Sequence, residues 1–246
     1  MQIEINPHIR AALEESLGFP LEAFPRSGID LRVSHARTDQ PGNLLLAHRI
    51  PGGDGALATA IPRIAEAVRP LLAEMSSAEL FSPLGVAELR RALSVEDGRA
   101  ILDEPGLDYA IAAPEAFHPA AGGHRSMLLT ARDIPSTREE FSLSMTDRDA
   151  SPPEGLAWGF VGCSGAQRVS IAVIRWDEGA TAHIAIAGTK EPFRGRGYGR
   201  AVVSAATEHI LKQGRVPVYG TIRSNIAALR MIRPLGYRLG FETIGA

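Results

Sequence analysis

Residues 189–209 read TKEPFRGRGYGRAVVSAATEH, and this stretch decides how the rest of the chain is read. Immediately before it, Ala182–Ala187 (AHIAIA) alternates and is apolar enough for a half-buried strand. Immediately after the glycines, Val202, Val203, Ala206 and Ile210 recur at helical spacing, and Gly214 stands where that helix would end. Between strand and helix lies Arg194-Gly195-Arg196-Gly197-Tyr198-Gly199. Glycines let the backbone turn sharply and approach a ligand, since no Cβ intervenes. A turn that opens a helix also leaves N–H groups unpaired at the positive end of the helix dipole. With Arg194, Arg196 and Arg200 beside them, those donors suit phosphate. Two common phosphate loops are excluded: no Lys-Ser/Thr follows the glycines, and the G-x-G-x-x-G spacing is absent.

The pattern that fits is R-x-x-G-x-G, met by Arg194, Gly197 and Gly199. It resembles the acyl-CoA pyrophosphate loop of the GNAT superfamily of N-acetyltransferases. A second segment agrees. Asn225–Tyr237, NIAALRMIRPLGY, resembles the family's run of Asn, a small residue three positions on, and a closing Leu-Gly-Phe/Tyr, here Asn225, Ala228 and Leu235-Gly236-Tyr237.

Composition and charge bound the remaining possibilities. With 246 residues the chain is long enough for one large domain or two small ones. No 18-residue apolar run is present, so no spanning helix is expected, and the first residues lack the basic and apolar regions of a secretory signal. A single cysteine, Cys163, excludes an internal disulfide and fits a reducing cytoplasm; it is expected to pack as a small hydrophobe. The net charge of −2 is unevenly placed. From Thr189 onward ten Lys and Arg face three Asp and Glu, giving +7 and leaving −9 for the rest. That asymmetry suggests an anionic ligand held locally, and coenzyme A would satisfy it. Nucleic acid is disfavoured by the acidic remainder and the lack of a recognisable binding module. Glu115, His118 and His124 could in principle meet a metal, but their Gly/Ala-rich segment fixes no geometry, so exposed loop histidines and no metal are expected.

Taken in order, Pro7–Leu17 reads as an amphipathic helix, and Ile29–Ser34 and Leu44–Ile50 as strands with turn chemistry at Gly42-Asn43. PGGDG (51–55) is a loop. A helix follows over 60–75, with Pro62 in its first turn and a kink at Pro70, then a second over 77–93 broken at Ser82-Pro83. Leu107–Ala113 is strand-like, and 115–125 has the composition of a linker. Strand, glycine cluster and helix over 44–75 echo the order at 183–211, which suggests a degenerate copy of the same unit, although Asp54 would repel phosphate. Beyond the linker, Met127–Ala131 reads as a strand and Ser136–Met145 as a helix capped by Ser136 with Glu139. Strands follow at 156–163, 168–175 and 182–187 in antiparallel hairpins, then the loop, a helix to Lys212, a strand at 216–222, a helix from Ser224-Asn225 to Arg233, and a strand at 237–244.

That order resembles the GNAT order over about 126–246. The expected fold is therefore α/β (α+β): a GNAT-type central mixed, mostly antiparallel sheet flanked by helices, preceded by a smaller α/β domain. Residues 1–120 form a cap, substrate or dimerisation domain, and 126–246 the acetyltransferase domain. The family usually closes with one more strand than this chain has after Gly236. That strand is missing, supplied by the N-terminal half, or supplied by a partner subunit, which would make a homodimer.

The resemblance implies the chemistry. Acetyl-CoA is the cosubstrate, and a primary amine of a small molecule is the expected acceptor. Ala187, Gly188 and Thr189 would pair with the pantetheine arm through exposed backbone. Arg194, Gly195, Arg196, Gly197, Tyr198, Gly199 and Arg200 would hold the pyrophosphate, and Asn225 would contact pantetheine. In the histone acetyltransferase branch a Glu base lies eleven residues before the first residue of the phosphate motif. Here that position is His183, whose ordinary pKa of ~6.5 suits proton removal near neutrality. Asp177 and Glu178 could act through water. Many members carry a Tyr acid seven residues after the Asn; here it is Ile232, so Tyr219 is the substitute candidate. A catalytically silent acyl-CoA sensor is the alternative that Ile232 favours.

Overall fold

The computed structural model describes residues 10, 14, 20, 22, 24–35, 44–99, 101, 103–111, 113–143, 152–177 and 179–245. The helix expected at Pro7–Leu17 and the turn at Gly42-Asn43 fall almost wholly outside that set. The architecture is mixed α/β, with mostly antiparallel sheet flanked by helices. The chain divides into two compact units: Met1–Ser16, Ala110–Gly220 and Ile226–Arg238 form one, and Leu17–Tyr109, Thr221–Asn225 and Leu239–Ala246 the other.

The unit that holds the Arg/Gly loop is built from β5 (Ser126–Leu129), β6 (Gly159–Ser164), β7 (Gln167–Trp176), β8 (Thr181–Thr189) and β9 (Val216–Ile222, whose first five residues lie in it). Their order is β9-β8-β7-β6-β5. β5 to β8 run antiparallel through successive pairs, while β8 and β9 are parallel, as a helical crossover requires. That crossover is α6 (Tyr198–Lys212), whose Val202, Val203, Ala206 and Ile210 are buried as their spacing predicts. α5 (Ile134–Phe141) lies on the other face, where Ile134 and Phe141 pack with Leu129, Trp158, Val161, Ile171 and Val173. Cys163 joins this apolar group as a partly buried side chain, in keeping with its expected role. Each fully buried side chain of this size contributes ~1.5–3 kcal/mol by leaving water.

α5 begins two residues earlier than its sequence suggests. Ser136 does not cap it; its hydroxyl donates to the Asp133 carbonyl from inside the first turn. The reciprocal cap belongs instead to Thr130 and Asp133, around a 3-10 turn at Ala131–Asp133. Pro135 then fits the first helical turn, where a missing N–H costs nothing. α7 (Ile226–Ile232) ends in a 3-10 turn and Gly236 at φ 99°. A Cβ there would strike the Ala116 carbonyl, and the Leu235 carbonyl accepts from His118 N–H at 3.0 Å, so the Leu-Gly-Tyr motif holds the linker in place. Tyr237 behind it is fully buried, its hydroxyl 2.7 Å from Thr207 Oγ1.

The other unit has the order β1-β3-β2-β10-β4, from β1 (Ser27–Val33), β2 (Leu45–Arg49), β3 (Asp54–Ala60), β4 (Gly106–Ala110) and β10 (Arg238–Gly245). α1 (Pro62–Glu74) follows β3 directly and runs through Pro70. α2 (Ser77–Leu80) and α3 (Pro83–Ala92) are separate helices, broken where Ser82-Pro83 predicts. α4 is Val95–Arg99. Two expectations are settled here. The glycines of PGGDG close the β2–β3 hairpin, with Gly53 N–H donating to the Ile50 carbonyl at 3.0 Å, so a strand intervenes before the helix and the strand–loop–helix order is not repeated. The terminal strand β10 is not left alone: it pairs antiparallel with β2 through Glu242–Arg49 to Gly245–Leu46 and has β4 on its other side. The N-terminal half supplies the missing pairing. Buried Glu242 is ion-paired with Arg49 and lies 2.9 Å from an Arg223 guanidinium nitrogen.

Candidate active site

The site starts from the way β8 ends. Its ladder with β9 covers only Thr181–Val216, Ala182–Pro217 and His183–Val218, whereas its ladder with β7 continues to Thr189–Ser170. From Ile184 onward the β9 side of β8 carries no ladder among the described residues. Val173 pairs with Ile186 and Ile174 with Ile184, so Ala185 is an extra residue, a bulge, and is exposed. Bulges sharpen the local twist and re-aim side chains. The strand therefore leaves its neighbour just past His183 and offers backbone at Ala187–Thr189. Ser170, fully buried, steadies that end: its hydroxyl donates to the Gly188 carbonyl at 2.8 Å and lies 2.9 Å from Thr189 Oγ1.

The chain then makes a 3-10 turn at Glu191–Phe193 and enters the Arg/Gly loop. Gly197 is the N-cap of α6 at φ 88°, a left-handed conformation that costs a residue with a Cβ ~1–2 kcal/mol. No side chain caps this helix. Its first intrahelical bond runs from Ala201 N–H to the Gly197 carbonyl, at 3.0 Å, so the preceding N–H groups of the first turn remain for a ligand. Arg194, Arg196 and Arg200 are exposed around them. Arg194 Nε donates to the Thr189 carbonyl at 3.1 Å, and the Arg196 guanidinium stands 5.9 Å over the Phe193 ring. Phe193 in turn meets Tyr198 edge to face. The fifteen residues of α6 align enough peptide dipoles to favour an anion at this end. The loop thus fits a pyrophosphate in charge, donors and backbone access.

His183 is half-buried on β8 with its Nε2 3.2 Å from Asp177 Oδ2. Thr181 Oγ1 donates to the same oxygen at 2.9 Å, and Arg175 Nε lies 3.5 Å from Oδ1. Register puts His183 opposite Arg175, and Asp177 follows Arg175 by two positions, on the same side of the ribbon. Glu178 lies outside the described residues. Tyr219 is buried and packs edge to face on Tyr237; loss of water pushes its phenol up to about 12, so it stays protonated near neutrality but is a weak acid. Ile232, at the usual tyrosine position, is wholly buried. Asn225 precedes α7, its N–H donating to the Ile222 carbonyl at 3.1 Å, and is grouped with the second unit rather than with the loop.

One neighbour of the loop escapes sequence reading. His124, expected to be an exposed linker residue, is half-buried and lies against Tyr198, ring centroids 4.2 Å apart. A Cβ on Gly197 would come within 3.2 Å of its Nε2. His118 is exposed, as expected. Among the described residues, no three His, Cys, Asp or Glu side chains gather as a metal site would need, and no helix is long and apolar enough to cross a membrane.

Residues 167–244 match the family model described as FR47-like protein, which is GNAT-related. That span opens on β7 and closes in β10, and holds the loop, His183, Tyr219 and Asn225. The match covers about a third of the chain and includes both segments that resemble the GNAT superfamily, Arg194–Gly199 and Asn225–Tyr237. No curated protein matches. Solved structures of similar fold include a putative acetyltransferase of the GNAT family from Novosphingobium aromaticivorans, 20% identical with a TM-score of 0.41, over 57% of this chain and 62% of that one. A GCN5-related N-acetyltransferase from Kribbella flavida is 16% identical with a TM-score of 0.48, over 66% and 74%. The ribosomal-protein-S18-alanine N-acetyltransferase from Escherichia coli is 14% identical with a TM-score of 0.39, over 50% and 92%. GNAT acetyltransferases use acetyl-CoA.

Proposed function

We propose that the protein is an acyl-CoA-dependent N-acyltransferase that moves an acetyl group from acetyl-CoA to a primary amine of a small molecule. The observation that carries this reading is the uncapped N-terminus of α6, opened by left-handed Gly197 among three exposed arginines, at the end of a strand whose second ladder stops at His183. The thioester supplies an activated acyl carbon and a thiolate leaving group. The chain's own residues do the rest. First-turn N–H groups and Arg194, Arg196 and Arg200 hold the pyrophosphate. Backbone of Ala187–Thr189 pairs with the amide-bearing arm and fixes the thioester in place, which converts an encounter between two molecules into a positioned one. His183 takes a proton from the acceptor's ammonium so that its nitrogen can attack, and Tyr219 is the candidate donor to the departing sulfur.

A mixture of acetyl-CoA with a panel of amino acids, polyamines and aminoglycoside-type amines, followed by free thiol release, tests the proposal. Amine-dependent thiol release supports it. A second reading is favoured by one observation, the apolar Ile232 at the acid position: a silent acyl-CoA sensor. Binding of acetyl-CoA with no release in the presence of any amine would favour that reading over the enzyme.

A further inference from the structure

We infer that Asp177 is a positioning residue for His183, holding the imidazole with its proton on Nε2 so that Nδ1 is the nitrogen that accepts the acceptor's proton. The inference rests on the reading of His183 as the base of an amine acyltransferase, and it deepens that reading. Its ground is a set of contacts that converge on one carboxylate. Oδ2 of Asp177 lies 3.2 Å from His183 Nε2 and accepts from Thr181 Oγ1 at 2.9 Å. Oδ1 faces the Arg175 guanidinium at 3.5 Å. Arg215 braces the backbone beneath, donating from Nη1 to the Asp177 carbonyl at 2.5 Å and to the Thr181 carbonyl at 3.2 Å. Two side chains therefore meet the carboxylate before the imidazole does, and Arg215 fixes the backbone that carries it. The Asp177 side chain is only 14% exposed and that of His183 18%, so little water screens the pair.

An ionised carboxylate accepts and cannot donate, so the nitrogen it faces carries the proton. A neutral His183 is thereby fixed as one tautomer, and its ring is held in orientation, as second partners of functional histidines commonly do. The proton inventory closes. The acceptor ammonium yields one proton to Nδ1, the new N–C bond forms as the C–S bond breaks, the sulfur takes a proton from Tyr219, and the nitrogen's second proton restores the Tyr219 phenol. The imidazolium then gives its proton to solvent, and Asp177 stays ionised throughout. Asp177 favours the protonated form of the imidazole, and Arg175, opposite it in the ladder, opposes that form.

The test combines nitrogen-15 NMR of His183 with kinetics on Asp177→Asn and Asp177→Glu. Neutral His183 is expected as the Nε2–H form, and in Asp177→Asn its titration moves to lower pH. Finding the Nδ1–H form, or an unmoved titration in Asp177→Asn, overturns the inference even if no acceptor is ever found. With an active amine, Asp177→Asn should lower kcat about tenfold, a part of the ~10²–10⁴-fold that a general base supplies. Acetyl-CoA affinity should hold, the acid limb of the pH–rate profile should follow the imidazole, and Asp177→Glu should recover part of the loss. A profile that superimposes on that of the parent protein overturns the inference. If the NMR result holds while no amine releases thiol, the tautomer assignment stands and the acyltransferase reading alone fails.

Discussion

Two glycine-bearing turns, one in each compact unit, make opposite use of the same residue. In PGGDG, Gly52 has φ 75° and the chain reverses at once into β3, pairing with the strand it just left. In RGRGYG, Gly197 has φ 88° and the chain runs on into fifteen residues of helix. Both glycines supply the left-handed conformation that a Cβ resists. The difference lies in what the turn leaves behind. The hairpin spends its backbone donors on ladder bonds, and Asp54 adds negative charge beside it. The helix opening leaves donors unpaired, aligned with a dipole and flanked by three arginines. A glycine cluster therefore signals a turn, and only the element that follows it, with the charges around it, signals an anion site.

The largest expected effect separates the two turns. Gly197→Asp places a Cβ against His124 and a negative charge at the phosphate position, and should weaken acetyl-CoA binding ~10³-fold, as strain and charge repulsion together reach about 4 kcal/mol. Retained affinity by calorimetry would remove the loop from the site. Next comes His183→Ala, which should slow amine acetylation ~10²-fold while leaving acetyl-CoA affinity unchanged, because the loop binds and the histidine acts on the acceptor. Gly52→Ala is the matched control. It should cost about 1 kcal/mol of stability through its positive φ and a few degrees in Tm, with no change in acetyl-CoA affinity. A loss of affinity there would erase the distinction between the turns.

The smallest effect concerns His209 on α6. Its Nε2 is buried without a hydrogen-bond partner, and burial, aided by Lys212, holds its pKa below the ordinary value. The folded protein thus binds this proton less readily than the unfolded chain. Stability from this group is complete above the unfolded value of ~6.5 and is lost as pH falls through the folded value. Tm should fall modestly on acidification through that range, and His209→Phe should flatten the slope.

The elements legible in the sequence were those with punctuation at both ends. α6 begins after Gly197 and stops at Gln213-Gly214, where its spacing ends, and β9 matches its expected bounds at Val216–Ile222. β8 runs slightly longer than its alternating core, because Thr189 continues the ladder with β7 and Thr181 the ladder with β9. The start of α5 was hidden because two S/T-x-x-D/E patterns, at Thr130 and Ser136, compete, and Pro135 decides for the earlier one. His124 was hidden by its setting: Gly/Ala-rich composition describes a linker well but says nothing of a ring stacking on Tyr198 across the unit. The contact between Asp177 and His183 was closer to hand. Once β7 and β8 form a hairpin with Arg175 opposite His183, alternation brings Asp177 to the same side.

The most direct test of the account is a thermal titration of the full chain with acetyl-CoA, run beside Gly197→Asp. At ~100 times its Kd the ligand should stabilise the parent protein by ~2.7 kcal/mol, a clear rise in Tm, and leave Gly197→Asp unmoved at the same concentration. An equal rise in both proteins, or no rise in the parent, would contradict the assignment of the α6 opening as the acyl-CoA site.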